Sequence, residues 1–258
     1  MKIISLWRHP VKGFSPEELK SVSLVAGEHF PNDRMFAIED GPSGFDADDP
    51  QHISKMRFVV LARSARIANY ETMYLDDSKA LEIFEHDENC ICSFDMATQE
   101  GLDDLADWLT NRFGDEFKGP LRVIRAPQNH RFMDYKSGFV SLINASSVEA
   151  LSQVSGEDIR VQRFRGNVVF EAPAWEEDNW LQGQILQLGN VRLEVLKPTV
   201  RCKATHADPN PDIASYNIET VPLLMTHFKR NTMGVYARIV SGGELCVGDN
   251  LSIESIDE

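Results

Sequence analysis

What most constrains this chain is how its apolar residues are grouped. They come in short runs of β-branched and aromatic residues, interrupted by glycine, proline or asparagine. Residues 2–8 (KIISLWR), 34–39 (RMFAIE), 58–70 (FVVLARSARIANY) and 80–86 (ALEIFEH) are of this kind, with partial alternation of apolar and polar positions. QILQLGNVRLEVLKP has the same pattern on both sides of Gly189-Asn190, which predicts a hairpin. A last hairpin is predicted where MGVYARIV and ELCVGDNLSIE flank Gly242-Gly243. Many short strands joined by tight turns predict a mostly β fold with peripheral helices, of β-barrel type.

Helical spacing is confined to a few segments. In GLDDLADWLTNRF, Leu102, Leu105, Trp108, Leu109 and Phe113 form one apolar stripe. In FVSLINASSVEALSQVSG a strand runs into a helix with Asn144 or Ser146 as N-cap. That helix presents Val148, Leu151 and Val154, and Gly156 stops it. A shorter helix is predicted around IETVPLLMTHF. Between these segments, KGPLRVIRAPQNHRF combines two prolines with several charges, and a domain boundary is placed there. Residues 1–125 then form a smaller β-rich domain and residues 126–258 a β-barrel domain.

Composition narrows the function. The chain has 258 residues, 42% of them hydrophobic, with 14 Phe and 4 Trp, enough for a sizeable core. Its net charge of −14 excludes a general binder of nucleic acid or of anionic membrane, since either needs basic surface. An anionic ligand must therefore meet a local basic pocket. No apolar run approaches the roughly 18 residues of a membrane span, and the first residues lack the features of a signal peptide. Cys90, Cys92, Cys202 and Cys246 do not form a disulfide framework, and Cys90 and Cys92 share one face of a strand. A cytoplasmic, reduced protein is expected. The acidic stretch GFDADDP is a solvated loop.

No GxGxxG, P-loop, HExxH or GxSxG sequence occurs. KPTVRCKATHADP instead puts Cys202 between Arg201 and Lys203, and flanking positive charge favours a thiolate. Cys202, His206 and Asp208 read either as a small metal site or as a polar loop. Four separated stretches have their chemistry in common, namely HPVKG with Lys12, NDR with Arg34, FRGN with Arg165 and Asn167, and TVRC with Arg201. Each sets a cation or amide at a strand end, where backbone N–H groups are free. Taken singly, each arginine is an ordinary salt-bridge partner; together they suit a phosphate and a polar heterocycle.

The stretches FRGNVVF, AWEEDNW, LGNVRLEVLKPTVRCKATHADP and MGVYARIVSGGELCVGDNL make the second half resemble the MOSC domain, the C-terminal part of molybdenum cofactor sulfurase. HPVKG and GEHFPNDRMFAI make the first half resemble the β-barrel domain that precedes MOSC in many members. The resemblance implies a site for the molybdenum cofactor, an anionic pterin with a dithiolene and a terminal phosphate; pyridoxal phosphate is not expected. It implies that Cys202 is the molybdenum ligand and catalytic residue, and that Lys12, Arg34 and Arg165 match positions holding pterin or phosphate. Asn144 and Ser146 fall in a turn that approaches the cofactor in relatives, and Asn167 and Arg201 join the cofactor-binding set. Gly13 stands where the family often has serine, and its backbone N–H remains available to a phosphate.

The activity implied is reduction of N-hydroxylated or similar small substrates at a cysteine-ligated molybdenum. The alternative is a non-catalytic carrier of persulfide sulfur or of the cofactor. Some relatives carry a C-terminal ferredoxin domain, and this chain stops at Glu258 without one. A separate ferredoxin- or flavoprotein-type electron donor, or a sulfur- or cofactor-transfer partner, is therefore expected.

Overall fold

The computed structural model describes residues 1–85, 89–136 and 140–254. The chain opens with strands β1 (Lys2–Arg8), β2 (Glu17–Leu19), β3 (Ser21–Leu24) and β4 (Phe36–Asp40). After a long connection come β5 (Glu71–Leu75), β6 (Ala80–Glu85), β7 (Asn89–Asp95), helix α1 (Gln99–Phe113) and β8 (Leu121–Arg125). The second half runs through β9 (Val140–Asn144), α2 (Ala145–Ser155), β10 (Val168–Glu171), β11 (Ile185–Leu188) and β12 (Val191–Val200). It ends with α3 (Thr220–Phe228), β13 (Thr232–Ser241), β14 (Gly243–Cys246) and β15 (Leu251–Ile253). The fold is mostly β with helices at its periphery, as the short apolar runs predict.

Eight strands form the main sheet, in the order β15-β11-β12-β13-β9-β10-β1-β2. Only β9 and β10 run parallel; the other neighbours are antiparallel. The sheet curls into a half-barrel. Ile3 N–H donates to Asp249 at 2.9 Å and Leu251 N–H to Met1 at 2.9 Å, so β1 returns to the segment that starts β15. Leu6, Leu142, Phe170, Leu186, Leu193 and Ile239 pack together as its core. A second core in the first half joins Phe14, Phe36, Ile38, Leu81 and Ile83 to Leu102, Leu105, Leu109 and Phe113 of α1. It lies with two small sheets, β4-β8 and β5-β6-β7. Hydrogen bonding also crosses residue 125, because β1 and β2 belong to the main sheet and β3 pairs with β14.

Local chemistry explains the helix ends. The Thr98 hydroxyl accepts from Gly101 N–H at 3.1 Å and caps α1. A Cβ on Gly101 would stand 2.0 Å from the Asp95 carbonyl, so only glycine lets this helix start against the end of β7. Asn144 caps α2 by accepting from Ser146 N–H at 3.1 Å, and Gly156 stops it in the left-handed region at φ 71°. Of the predicted helix face, Val148 and Leu151 are buried while Val154 is exposed.

Two sequence expectations fail. Residues 58–70 form no strand. Phe58 makes an isolated bridge to Glu39, and Ala65–Asn69 wind into a 3-10 turn before β5 begins. The apolar side chains there are buried, but by a compact connection whose backbone pairs little with a sheet. The last predicted hairpin also does not form, because β14 leaves β13 and pairs with β3. A Cβ on Gly242 would sit 2.4 Å from the Leu24 carbonyl, so this glycine serves a close backbone crossing. His86 and Phe139, at the ends of predicted strands, and residues 255–258 of the predicted second domain lie outside the described residues.

Candidate functional site: a cationic cleft ending at Cys202

β12 is the element that delivers the sulfur. Its register with β13 shifts between Val195 and Lys197 and again between Pro198 and Val200. Pro198 has no N–H to donate, and such irregularities re-aim the residues that follow. Thr199, Arg201 and Cys202 consequently face one cleft, with Lys12 and Gly13 from the turn after β1, Arg34 from the turn before β4, and Arg165 before β10. The cleft has a cavity volume of about 70 Å³. It is therefore narrow. Six cations line it (Lys12, Arg34, Lys55, Arg163, Arg165 and Arg201) against one carboxylate, Asp134. On a protein of net charge −14 this is a local reversal of sign.

The inner wall is held by main-chain carbonyls. Arg201 donates through Nε and Nη2 to the Met233 carbonyl, at 2.9 and 2.5 Å, and through Nη1 to Phe164 at 2.8 Å. Gly234 makes room for this brace: at φ 72°, a Cβ there would lie 2.2 Å from the Leu142 carbonyl and 3.3 Å from Arg201 Nη2. Arg34 pairs with Asp33 and donates through Nη2 to the Arg165 carbonyl at 3.0 Å. Arg165 donates through Nη1 to the Phe14 carbonyl at 2.6 Å. Burial, followed by the neighbouring Arg34, pushes Arg165 down to about 9, and burial pushes Arg201 down to about 10; both stay charged at neutral pH. Arg34 and Arg165 adopt left-handed φ of 47° and 53°. For a non-glycine residue that conformation costs about 1–3 kcal/mol and persists where surroundings impose it, often at functional sites.

Behind this wall His9 is fully buried. Its backbone N–H donates to Asp33 Oδ1 at 2.7 Å, and its ring Nδ1 lies 3.3 Å from the same oxygen. Burial, then Arg165 and Arg34, lowers its pKa to about 3, so the ring is neutral. Burial works against ionisation of Asp33, but Arg34 and His9 outweigh it and hold the carboxyl below its usual range.

The mouth is built differently. Lys12 Nζ is buried and donates to the Phe132 carbonyl at 2.8 Å and to Asp134 Oδ1 at 2.5 Å. The other oxygen of Asp134 accepts from Lys55 Nζ at 3.2 Å, and the same ammonium donates to Cys202 Sγ at 3.0 Å. Burial pushes Asp134 upward, but Lys12, Lys55 and Arg34 outweigh it and keep the carboxyl ionised. Lys55 is raised above the ordinary lysine value: burial lowers it, and Asp134 and Cys202 more than compensate.

The sequence motifs thus locate Lys12, Gly13, Arg34, Arg165, Arg201 and Cys202, which the fold brings together. The cation on the sulfur is neither of the flanking residues. Arg201 is engaged by carbonyls, and Lys203 Nζ lies over the Tyr216 ring, 3.9 Å from its centre. It is Lys55, 147 positions away, for which no local pattern exists. Gly13 has φ 93°, and a Cβ there would press to 2.8 Å from the Val59 carbonyl, so serine would be strained at this position.

Asn144, Ser146 and Asn167 are not brought to the cleft. The Asn144 amide donates to Glu177 Oε2 and to the Pro173 carbonyl, both at 2.9 Å, besides capping α2. Ser146 stands in the first turn of that helix. Asn167 ties β9 to β1, accepting from Ser141 N–H at 3.0 Å and donating to the Trp7 carbonyl at 3.2 Å. Cys202, His206 and Asp208 make no metal site. Asp208 Oδ2 accepts from Arg163 and Asn217, each at 2.6 Å, and His206 Nε2 receives the Val221 N–H at 3.4 Å. Among the described residues no group of three His, Cys, Asp or Glu side chains is placed to hold a metal ion.

Residues 128–252 match the family model "MOSC domain"; residues 1–127 lie outside the match. The chain is 24% identical over 248 residues to molybdenum cofactor sulfurase of Caenorhabditis briggsae, covering 92% of this chain and 33% of that protein. The chain therefore spans about a third of the length of this relative. Among solved structures, the YUAD protein of Bacillus subtilis aligns with a TM-score of 0.48 at 11% identity, over 99% of this chain and 96% of that one. YiiM of Geobacillus stearothermophilus aligns with a TM-score of 0.37 at 15% identity, over 46% of this chain and 55% of that one. Among the described residues, no helix is long and apolar enough to cross a membrane.

Proposed function

We propose that this cleft holds the molybdenum cofactor, with Cys202 as metal ligand, and that the protein is an oxidoreductase acting on N-hydroxylated or similar small substrates. The observation that carries the reading is a half-exposed sulfur at the end of a cationic cleft that still has unused donors. Arg165 Nη2 and Thr199 Oγ1 are buried and have no partner among the described residues. Buried polar groups are rarely left unpaired, and an anionic pterin offers the acceptors these lack. A thiolate is a soft donor suited to molybdenum. The name of the Caenorhabditis briggsae relative, a molybdenum cofactor sulfurase, supports the same chemistry.

When bound, the cofactor would supply two-electron redox chemistry for removing the substrate's oxygen. The chain's own residues do the rest. Arg34 and Arg165 offer planar forks to phosphate or pterin oxygens, which lysine cannot copy. Arg201 fixes the backbone that carries Cys202, and Lys55 orients the sulfur. Residues 1–125 would supply Lys12, Arg34 and Lys55, and residues 126–258 would supply Arg165, Arg201 and Cys202, so that two domains share one site. Electrons would come from a separate ferredoxin- or flavoprotein-type donor.

Elemental and pterin analysis of protein made in cofactor-producing cells tests this. Molybdenum and pterin are expected in the parent, and Cys202→Ser should lose both the metal and the reduction of N-hydroxylated substrates while remaining folded. Protein free of pterin and molybdenum, yet carrying a mass increase of about 32 Da on Cys202 (one sulfur on a reactive thiolate), would replace this reading with that of a sulfur carrier.

A further inference from the structure

The acid at the mouth is out of place in an anion site, and its attachments are unequal. Lys12 has 5% of its side chain exposed, Lys55 27% and Asp134 42%. Lys12 is anchored by the Phe132 carbonyl, whereas among the described residues the Asp134 carboxylate accepts hydrogen bonds only from Lys12 and Lys55. A buried ammonium left without a counter-ion is strongly disfavoured. Lys12 therefore needs an anion at all times, but nothing requires that anion to be Asp134. The carboxylate spans two ammonium groups with its two oxygens, which is how an oxyanion would sit there.

We propose that Lys12 and Lys55 form an oxyanion seat beside the Cys202 sulfur, which Asp134 fills in the ligand-free protein and which an incoming phosphate-like anion takes over by displacing that carboxylate. The ligand class is a tetrahedral or planar oxyanion, either free in solution or the phosphate of a bound cofactor. The seat goes beyond the cofactor reading and needs no metal. Lys55 thereby gains a role distinct from that of the inner arginines: it contacts both the sulfur and the displaceable anion, and so couples the filling of the seat to the position of Sγ.

Thermal unfolding of the full chain, made without cofactor and titrated with inorganic phosphate against chloride at equal ionic strength, tests the seat. Asp134→Asn removes the competing charge, so half of the phosphate effect should occur at about tenfold lower concentration than in the parent, as for one charge-assisted contact. Adding Lys55→Ala should abolish that gain. If Asp134→Asn does not fold, Lys55→Ala alone should raise the phosphate concentration needed by the parent chain. Cofactor-loaded Asp134→Asn protein separates the two sources: its response disappears if the seat takes the cofactor's phosphate and persists if it takes a free oxyanion. The proposal is overturned if Asp134→Asn gains nothing, if chloride reproduces the gain, or if the gain survives Lys55→Ala. Because the titration uses phosphate alone, its failure leaves the molybdenum reading standing, and the absence of molybdenum leaves the seat testable.

Discussion

The inner wall and the mouth of the cleft hold their cations by different means. On the wall, Arg34, Arg165 and Arg201 donate to the carbonyls of Arg165, Phe14, Phe164 and Met233, which are fixed by the backbone around them. At the mouth, Lys55, Asp134 and Cys202 are held mainly by one another, and their side chains are partly open to water. Neutral main-chain acceptors leave the charges of Arg165 and Arg201 uncompensated, while Arg34 is paired with the buried Asp33 and an acidic partner neutralises Lys12 and Lys55 at the mouth. The wall is held by buried backbone groups; on the proposed reading, the mouth is where a partner is exchanged. The same lysine and arginine chemistry thus gives a wall braced by the backbone in one place and a partly exposed ion pair in the other.

The comparison breaks most easily at Arg201. Arg201→Leu leaves the buried Met233 and Phe164 carbonyls without their guanidinium donors, and each such loss costs about 1–3 kcal/mol. Urea unfolding should show the variant about 2–5 kcal/mol less stable. A loss under about 0.5 kcal/mol, the size of an ordinary surface substitution, would mean that the brace does not hold the wall.

Arg165→Lys keeps the charge but cannot serve both the Phe14 carbonyl and a ligand with a planar fork. A lost charge-assisted hydrogen bond is worth about 1.5–3 kcal/mol, so cofactor retention should fall roughly 10- to 150-fold. Quantifying pterin after dialysis of the loaded protein checks it, and retention equal to the parent's would move the recognition surface elsewhere.

His9 sharpens the contrast through pH. Its folded pKa of about 3 lies below the ordinary value of 6.5, so the unfolded chain binds the extra proton first as pH falls. The stability that neutral His9 contributes is full above pH 6.5 and declines toward pH 3. The limiting slope for one proton is about 1.4 kcal/mol per pH unit. Denaturant midpoints measured between these limits should fall less steeply in His9→Gln than in the parent. Equal slopes would show that burial beside the arginines does not hold this ring neutral in the folded chain.

The smallest effect belongs to the acidic surface. Asp48→Asn with Asp49→Asn lies in an exposed loop, and salt screens charges beyond about 8–10 Å. Cofactor retention should change by less than about twofold, since only local cations act at the cleft. A change as large as that of Arg165→Lys would place the pocket near this loop instead.

Elements specified by near neighbours were readable in advance. The Asn144 cap, the Gly156 stop, the α1 stripe and the Gly189-Asn190 turn each depend on contacts within a few residues. Residues 58–70 misled because an apolar run has the same composition whether a strand or a packed connection buries it. Gly242-Gly243 misled because a glycine pair serves a close crossing as well as a two-residue turn. At the site, Lys12, Arg34, Arg165 and Arg201 stood out because cations and amides recur at strand ends. Asn144 and Asn167 share that appearance, yet their amides are consumed by the framework.

What the sequence by itself determined is therefore the kind of element most segments form, the excess of acid over base, and the presence of a cysteine in a cationic turn. Caps, periodicity and backbone preference act over one or two turns of chain, and those distances are written in neighbouring residues. Only the tertiary structure decided that the curled sheet carries β12 to the connection from the first half, so that Lys55 meets Cys202 while Lys203 turns away to Tyr216. It also decided that Asp134, the lone carboxylate of the cleft among the described residues, stands between Lys12 and Lys55. The physical reason is that such meetings depend on closing chain segments of 79 to 147 residues, and no pattern among adjacent residues records which ends will touch.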